Sequence, residues 1–199
     1  MGDGGDAGRG VRLVLLGAPG SGKGTQAARL AAWGDVPNIS TGEMLRQAVG
    51  EGSELGRRVR DIMAAGELVD DATMADVVRE RLAAPDAAQG FVLDGFPRTL
   101  AQVTELDSIL EAAGRGLDAV VAIEVPEAVL TQRMLDRKRQ DGRDDDKREV
   151  IEERLRVYRS KTEPLAEHYR RRGLLRVVDG DREMDAVTES ILRALAVEA

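Results

Sequence analysis

The sequence predicts an α/β fold, an open parallel sheet flanked by helices, and three observations lead there. Short apolar runs near residues 11–16, 36–39, 91–93, 119–124 and 174–178 alternate with segments whose apolar residues recur at helical spacing. The first run, Val11, Leu13, Val14, Leu15 and Leu16, is nearly continuous rather than alternating, which suits a strand covered on both faces. A glycine-rich turn, Gly17-Ala18-Pro19-Gly20-Ser21-Gly22-Lys23-Gly24-Thr25, follows it directly. Right-handed crossovers between such strands place ligands at their carboxyl ends, where this turn and Asp94 both fall.

Each element has its own signal. Residues 1–10 hold five glycines with Asp3 and Asp6 and nothing to bury, so a disordered leader is expected. Gln26, Ala27, Ala28, Leu30 and Ala31 give a helix over 22–33. A short second strand over 36–39 follows, and Ser40-Thr41-Gly42-Glu43 reads as a cap before Met44, Leu45 and Ala48. Leu55, Val59, Ile62 and Met63 share a helix face, and Gly66 stops that helix. Asp70 or Asp71 caps the next, with Met74, Val77, Val78 and Leu82 on one side, and the whole reads as a helical insert. The third strand, Phe91-Val92-Leu93, ends in Asp94, after which Leu100, Val103, Leu106 and Leu110 mark a helix closed by Gly114. Strand 119–124 is followed by Pro126, which opens a helix carrying Val129, Leu130, Arg133 and Arg137 until Gly142 breaks it. Another helix begins near Lys147 and kinks or breaks near Pro164. A fifth strand over 174–178 and a closing helix over 183–197, with Met184, Val187, Ile191 and Leu195 inward, complete the chain.

Composition narrows the function classes. At 199 residues the chain suits one domain that buries roughly 70% of its unfolded surface. Only 3% of residues are aromatic, so aliphatic side chains must fill the core. A net charge of −7 argues against a general polyanion binder, so no nucleic-acid partner is expected and phosphate binding must be local. No apolar run approaches the ~18 residues that cross a bilayer, and no signal-like core follows the start. A soluble, cytoplasmic monomer without a membrane partner is therefore expected. The absence of cysteine excludes Cys-ligated zinc, and the single histidine, His168, reads as a helix-surface residue. Most of the charge-rich segment 133–159 reads as a solvated pair of amphipathic helices.

The chemistry starts at the glycine-rich turn. Gly17, Gly20 and Gly22 let successive N–H groups turn inward around an anion, Lys23 adds a mobile positive charge, and the following helix points its dipole at the same place. The general pattern G-x-x-x-x-G-K-[ST] is met through Lys23, but Gly24 stands in the hydroxyl position and Thr25 comes one residue later. This variant resembles the phosphate loop of nucleoside monophosphate kinases, adenylate kinases in particular. Leu93-Asp94-Gly95-Phe96-Pro97-Arg98 resembles a second signature of that family, and Ile39-Ser40-Thr41-Gly42-Glu43-Met44-Leu45-Arg46 its monophosphate-binding segment. Arg133 and Arg137, then Arg143 and Arg154, match by spacing its donor-nucleotide and phosphate-clamping arginines.

The resemblance implies a P-loop NTPase fold: a five-stranded parallel sheet, a helical monophosphate-binding insert at about 40–69, and a short lid loop at about 138–146. Only Gln140, Asp141 and Gly142 separate Arg139 from Arg143, so the larger lid of many relatives is missing. It implies reversible Mg²⁺-dependent transfer of a phosphoryl group from ATP to AMP, giving two ADP, with no zinc. ATP would meet Gly20, Ser21, Gly22, Lys23, Gly24, Thr25, Arg133, Arg137 and Arg182. AMP would meet Thr41, Arg46, Leu68, Val69, Gly95, Arg98, Gln102, Arg143 and Arg154. Transfer itself would be assisted by Lys23, Arg98, Arg137, Arg143 and Arg154, with Asp94 reaching Mg²⁺ directly or through water. The residue types suit these roles, since guanidinium forks match phosphate oxygens and a glutamine amide can both donate to and accept from adenine. The roles of Glu43 and Glu67 stay open. Competing readings are a kinase acting on UMP, CMP or GMP, and a nucleotide-binding regulator that keeps the loop without catalysis.

Overall fold

All five strands of the sheet run parallel, in the order β2-β3-β1-β4-β5. The strands are β1 (Arg12–Leu16), β2 (Asn38–Ser40), β3 (Phe91–Asp94), β4 (Ala119–Glu124) and β5 (Leu175–Asp179). Helices α1 (Lys23–Gly34), α2 (Thr41–Glu51), α3 (Glu54–Ala65), α4 (Asp71–Leu82), α5 (Leu100–Ala112), α6 (Glu127–Asp141), α7 (Arg148–Val157), α8 (Leu165–Arg171) and α9 (Met184–Ala196) connect and flank them. The computed structural model describes residues 10–141 and 147–196. Most of the expected leader, the Gly142 break, Arg143 and the latter part of the expected lid, residues 142–146, therefore lie outside the described residues.

The continuous apolar runs follow from burial on both faces. Along β1, Val14 and Leu16 join one core with Leu93 and Val120, while Leu13 and Leu15 join the opposite core with Val92 and Val121. Alternate side chains point to opposite faces, so a strand with a hydrophobic layer on each side has no polar position to spare. Helices α1 and α9 cover one face through Ala27, Leu30, Val187 and Ile191. Helices α4, α5 and α8 cover the other through Met74, Val78, Leu106 and Tyr169. A smaller core of Leu130, Met134, Ile151 and Leu155 locks α6 against α7 beside the glycine-rich turn.

Departures from the expected boundaries have local causes. Strand β2 begins at Asn38 rather than near Val36, because the Val36 N–H closes the turn after α1 on the Ala31 carbonyl and Pro37 has no N–H to give a ladder. Ser40 does sit at the start of α2, but its side chain makes no capping bond; its hydroxyl is directed at Asp94 Oδ2 instead, at 3.4 Å. Of the two candidate caps for α4, Asp70 takes the role by accepting from the Thr73 N–H, which leaves the Asp71 carboxylate for other work. Met184 is exposed rather than inward, since α9 begins there and Val187 is its first buried residue. The expected break near Pro164 takes the form of a π-helical turn, Tyr158–Thr162, in which the Glu163 N–H reaches back to the Tyr158 carbonyl.

Ile191 is fully buried under the sheet on α9, on the face away from the residues expected to bind AMP. Ile191→Ala should cost about 2–5 kcal/mol of stability in urea unfolding while leaving the rate of the expected phosphoryl transfer unchanged below the transition.

Candidate active site

Register brings the site together. Leu15 and Ser40 both stand opposite Asp94, and Leu16 stands opposite Ala122, so the glycine-rich turn, the Asp94 turn and the start of α2 leave the sheet side by side. They open onto one cleft, whose walls include Lys23, Thr41, Arg46, Arg98, Gln102 and Arg154. Counting its open mouth, it holds about 1040 Å³, room for nucleotide-sized ligands.

The turn is built to receive an anion. Gly22, at φ +91°, sits at the start of α1 with no side-chain cap, and no acidic residue occupies the first turn. The initial N–H groups of α1 are thus left facing outward with the positive end of its dipole. Lys23 Nζ donates to the carbonyls of Gly17 and Ala18 at 2.8 and 2.9 Å, which leaves one of its three protons for a ligand. Burial in the cleft floor, opposed by Asp94 and reinforced by the positive charges of Arg98, Arg154 and Arg137, lowers its pKa from 10.5 to about 8. Ser21 is buried with its hydroxyl unbonded among the described residues, packed against Gly17, so toward a phosphate it presents backbone rather than hydroxyl. Gly20 is half-buried against the Leu130 carbonyl, while Gly24 and Thr25 are exposed on the first turn of α1.

Asp94 lies across from that helix start, its Oδ2 3.8 Å from where a Cβ on Gly24 would stand. Magnesium favours one or two carboxylates, with phosphate oxygens and water completing its shell. Among the described residues no group of three or more ligating side chains could cage a metal, whereas one carboxylate facing an anion site fits Mg²⁺ arriving with a nucleotide. The next residue, Gly95, is held at φ +84° with Thr41 Oγ1 2.6 Å and Arg98 Nη2 3.0 Å from its missing Cβ, so any side chain there would displace both. Thr41 donates to the Asp94 carbonyl and Arg98 Nε to the Gly95 carbonyl, at 3.3 and 2.7 Å.

Arg46 reaches back over Gly42 from the second turn of α2, and the stem of Arg154 rests on Gly66, where α3 ends. Leu68 and Val69 line the same wall. Gln102 is 2% exposed, not the surface residue that helical position alone would suggest. Arg133 and Arg182 sit apart from this cleft. Arg133 donates twice to the Gly180 carbonyl beyond β5, and Arg182 donates to Ser190 on α9. Arg137, one turn beyond Arg133, lies within the field of Lys23.

The model of a family described as adenylate kinase matches residues 15–174. The chain belongs to the adenylate kinase family. An adenylate kinase of Xanthomonas campestris pv. campestris (strain 8004) is 47% identical over 93% of this chain and 99% of its own. Those of Sinorhizobium medicae (strain WSM419) and Archaeoglobus fulgidus are 45% and 41% identical, covering 94% and 91% of this chain and 100% and 96% of theirs. Family membership makes the protein a phosphotransferase. The structure adds a cleft residue that the sequence did not single out. Thr162, 6% exposed, donates to the Arg98 carbonyl at 3.0 Å from within the π-helical turn, a place that helical periodicity cannot reveal. Glu67 lines the cleft, while Glu43 is exposed in the first turn of α2.

The lowered pKa of Lys23 fixes a sign. A bound phosphate favours the ammonium form, so the pKa rises on binding and a proton is taken up. Affinity for an ATP analogue should fall as pH rises through about 8. Tyr158, pushed up to about 12 chiefly by burial, does not titrate in that window. Calorimetry near about pH 8.5 in buffers of different ionisation enthalpy should register uptake of a fraction of a proton, absent in Lys23→Met. Equal uptake by both proteins would remove Lys23 from the anion site.

Proposed function

We propose that the protein moves the terminal phosphoryl group of ATP to AMP, reversibly, with Mg²⁺ bound to the phosphates and to Asp94, directly or through water. The observation that carries this reading is the convergence of Lys23, Asp94, Arg98, Arg137 and Arg154 at the carboxyl ends of β1 and β3, with Thr41, Val69 and Gln102 in the adjoining wall. In the transfer, an oxygen of the AMP phosphate attacks the γ-phosphorus and the bond to the β,γ-bridging oxygen breaks, releasing ADP on both sides. No side chain needs to form a covalent bond; the work is positioning and stabilisation of spread negative charge. Mg²⁺, when bound near Asp94, would offset part of that charge on the phosphates.

The protein groups divide the rest. The glycine-rich turn and the start of α1 hold the donor phosphates through backbone N–H groups, and Lys23 follows the charge as it moves. Arg46 and Arg98 hold the acceptor phosphate with planar forks that stay charged at any working pH. Arg137 and Arg154 approach the transferred group from α6 and α7, with Arg143 assigned beside them by family resemblance. Arg133 and Arg182 would serve the donor base at the Gly180 turn. Residues 40–69 and 138–146 would act as an insert and a short lid that exclude water, since an exposed phosphoryl group would pass to water instead of AMP.

A donor-by-acceptor panel with purified protein and Mg²⁺ tests the assignment: ATP with AMP should give two ADP, and CMP, UMP and GMP should be poor acceptors. Preference for one of those would make the protein another monophosphate kinase, and turnover of none a nucleotide-binding regulator. Arg154→Ala should lower turnover by ~10³ or more with little change in AMP affinity. A surface arginine at that position would cost only ~0–1 kcal/mol of stability and leave the rate alone.

A further inference from the structure

Beside the cleft wall lies a partly buried polar chain, and one of its members, Asp71, has no part in the functions considered so far. Asp71 Oδ1 accepts from Gln102 Nε2 at 2.8 Å and from Thr99 Oγ1 at 2.9 Å. Thr99 Oγ1 in turn accepts from the Gln102 N–H at 3.1 Å, capping α5. At its other end the Gln102 amide accepts from the Arg98 N–H through Oε1 at 2.8 Å. Asp71 itself does not line the cleft; Gln102 does. Because Asp70 caps α4, the helix start does not require the Asp71 carboxylate.

These partners allow the amide one orientation. Turned over, Gln102, itself buried, would press its carbonyl against the Asp71 carboxylate and its NH₂ against the Arg98 N–H, one acceptor–acceptor and one donor–donor contact. One N–H and one carbonyl lone pair remain for a ligand, in a fixed order. That order carries chemical information. The edge of a 6-aminopurine presents an N6–H donor beside the N1 acceptor. A 6-oxopurine presents the reverse, an O6 acceptor beside an N1–H donor. A freely turning amide satisfies either edge equally well; a locked one satisfies a single edge in a given pose.

We infer that Asp71 is a positioning residue that selects AMP over 6-oxopurine monophosphates by locking the amide of Gln102. This rests on the reading of Gln102 as the contact to the acceptor base. The carboxylate is what makes the lock firm, because an anion beside Nε2 repels the carbonyl that would replace it. An asparagine keeps an acceptor but can also turn its own amide to donate, so it tolerates either state.

The experiment compares kcat/KM for AMP and for IMP, with ATP as donor, in the parent, Asp71→Asn, Asp71→Ala, Gln102→Ala and the double variant Asp71→Asn/Gln102→Ala. The AMP-to-IMP ratio should fall by roughly ten- to hundredfold in Asp71→Ala, as expected for loss of a charged hydrogen-bond partner, with Asp71→Asn between it and the parent. The loss should appear mainly in KM for the acceptor, with KM for ATP changed by less than about twofold. In the Gln102→Ala background, Asp71→Asn should add nothing. If Gln102→Ala keeps the parental ratio, base recognition lies elsewhere and the underlying reading falls. If Gln102→Ala lowers the ratio while both Asp71 variants keep it, the Asp71 inference alone is overturned. A fall in AMP and IMP rates by the same factor also overturns it, since that marks a structural role. Should Asp71→Ala fail to fold, the near-isosteric Asp71→Asn still decides, because its ratio must drop below the parent's.

Discussion

The arrangement on which the rest depends is a group of like charges held together in a cleft. Burial does most to push the Lys23 pKa down, and Arg98, Arg154 and Arg137 each push it further, against the opposing influence of Asp94. Cations in such proximity repel, and partial burial strengthens the repulsion by lowering the local dielectric. Polyphosphate turns the mutual repulsion of these cations into attraction toward a shared anion, so a protein of net charge −7 can bind nucleotides through a local cluster of positive charge.

Holding the charges requires rigid anchors, and the parallel sheet provides them. The pairing of Leu15 and Ser40 with Asp94 sets three chain exits in one row, and each exit delivers a different component: the glycine-rich turn, the start of α2 and the carboxylate. A one-residue slip in any of these pairings would exchange the two faces of a strand and put Val14 or Leu93 where Leu15 or Val92 belongs. Since both faces are apolar, hydrophobicity alone would not forbid the slip. What opposes it is shape: the fully buried Leu13, Leu15, Phe91 and Leu93 each fill space between particular helices at interior density.

This contrast explains what could be read from the sequence. Strand positions, the anion turn and most helices were legible because burial on two faces and helical periodicity leave marks in the local pattern. Strand β4 and the helix after Pro126 were located closely, and the face of α3 formed by Val59, Ile62 and Met63 was evident. Met184 was misread because periodicity assigns a face but does not show where along the helix contact with the sheet begins. Ser40 has the composition of a cap, yet register set it beside Asp94, and the pairing of two strands separated by fifty residues is absent from any local window. Asp70 and Asp71 were equivalent as caps; only the packing of α4 on α5 distinguishes them, by bringing Thr99 and Gln102 to one of the two.

Arg98 shows how such non-local contacts bear on chemistry. Its N–H is held by Gln102, its carbonyl by Thr162 and its guanidinium by Gly95, so backbone and side chain are restrained from α5, from the π-helical turn and from the strand end. An arginine ordered before its ligand arrives loses less rotamer entropy on binding, a saving of up to about 1.5–2 kcal/mol for a side chain of this kind. The same N–H links it to the amide that faces the cleft. If Gln102 meets the acceptor base and Arg98 its phosphate, as proposed, a base that mismatched the amide would strain the bond to the Arg98 backbone, and a shift there would move the guanidinium. On that assignment, recognition of the base and alignment of the phosphate are joined through one hydrogen bond. Positioning errors of about 1 Å can cost on the order of a hundredfold in rate, so restraints that keep this guanidinium in place would protect the alignment of a matched acceptor.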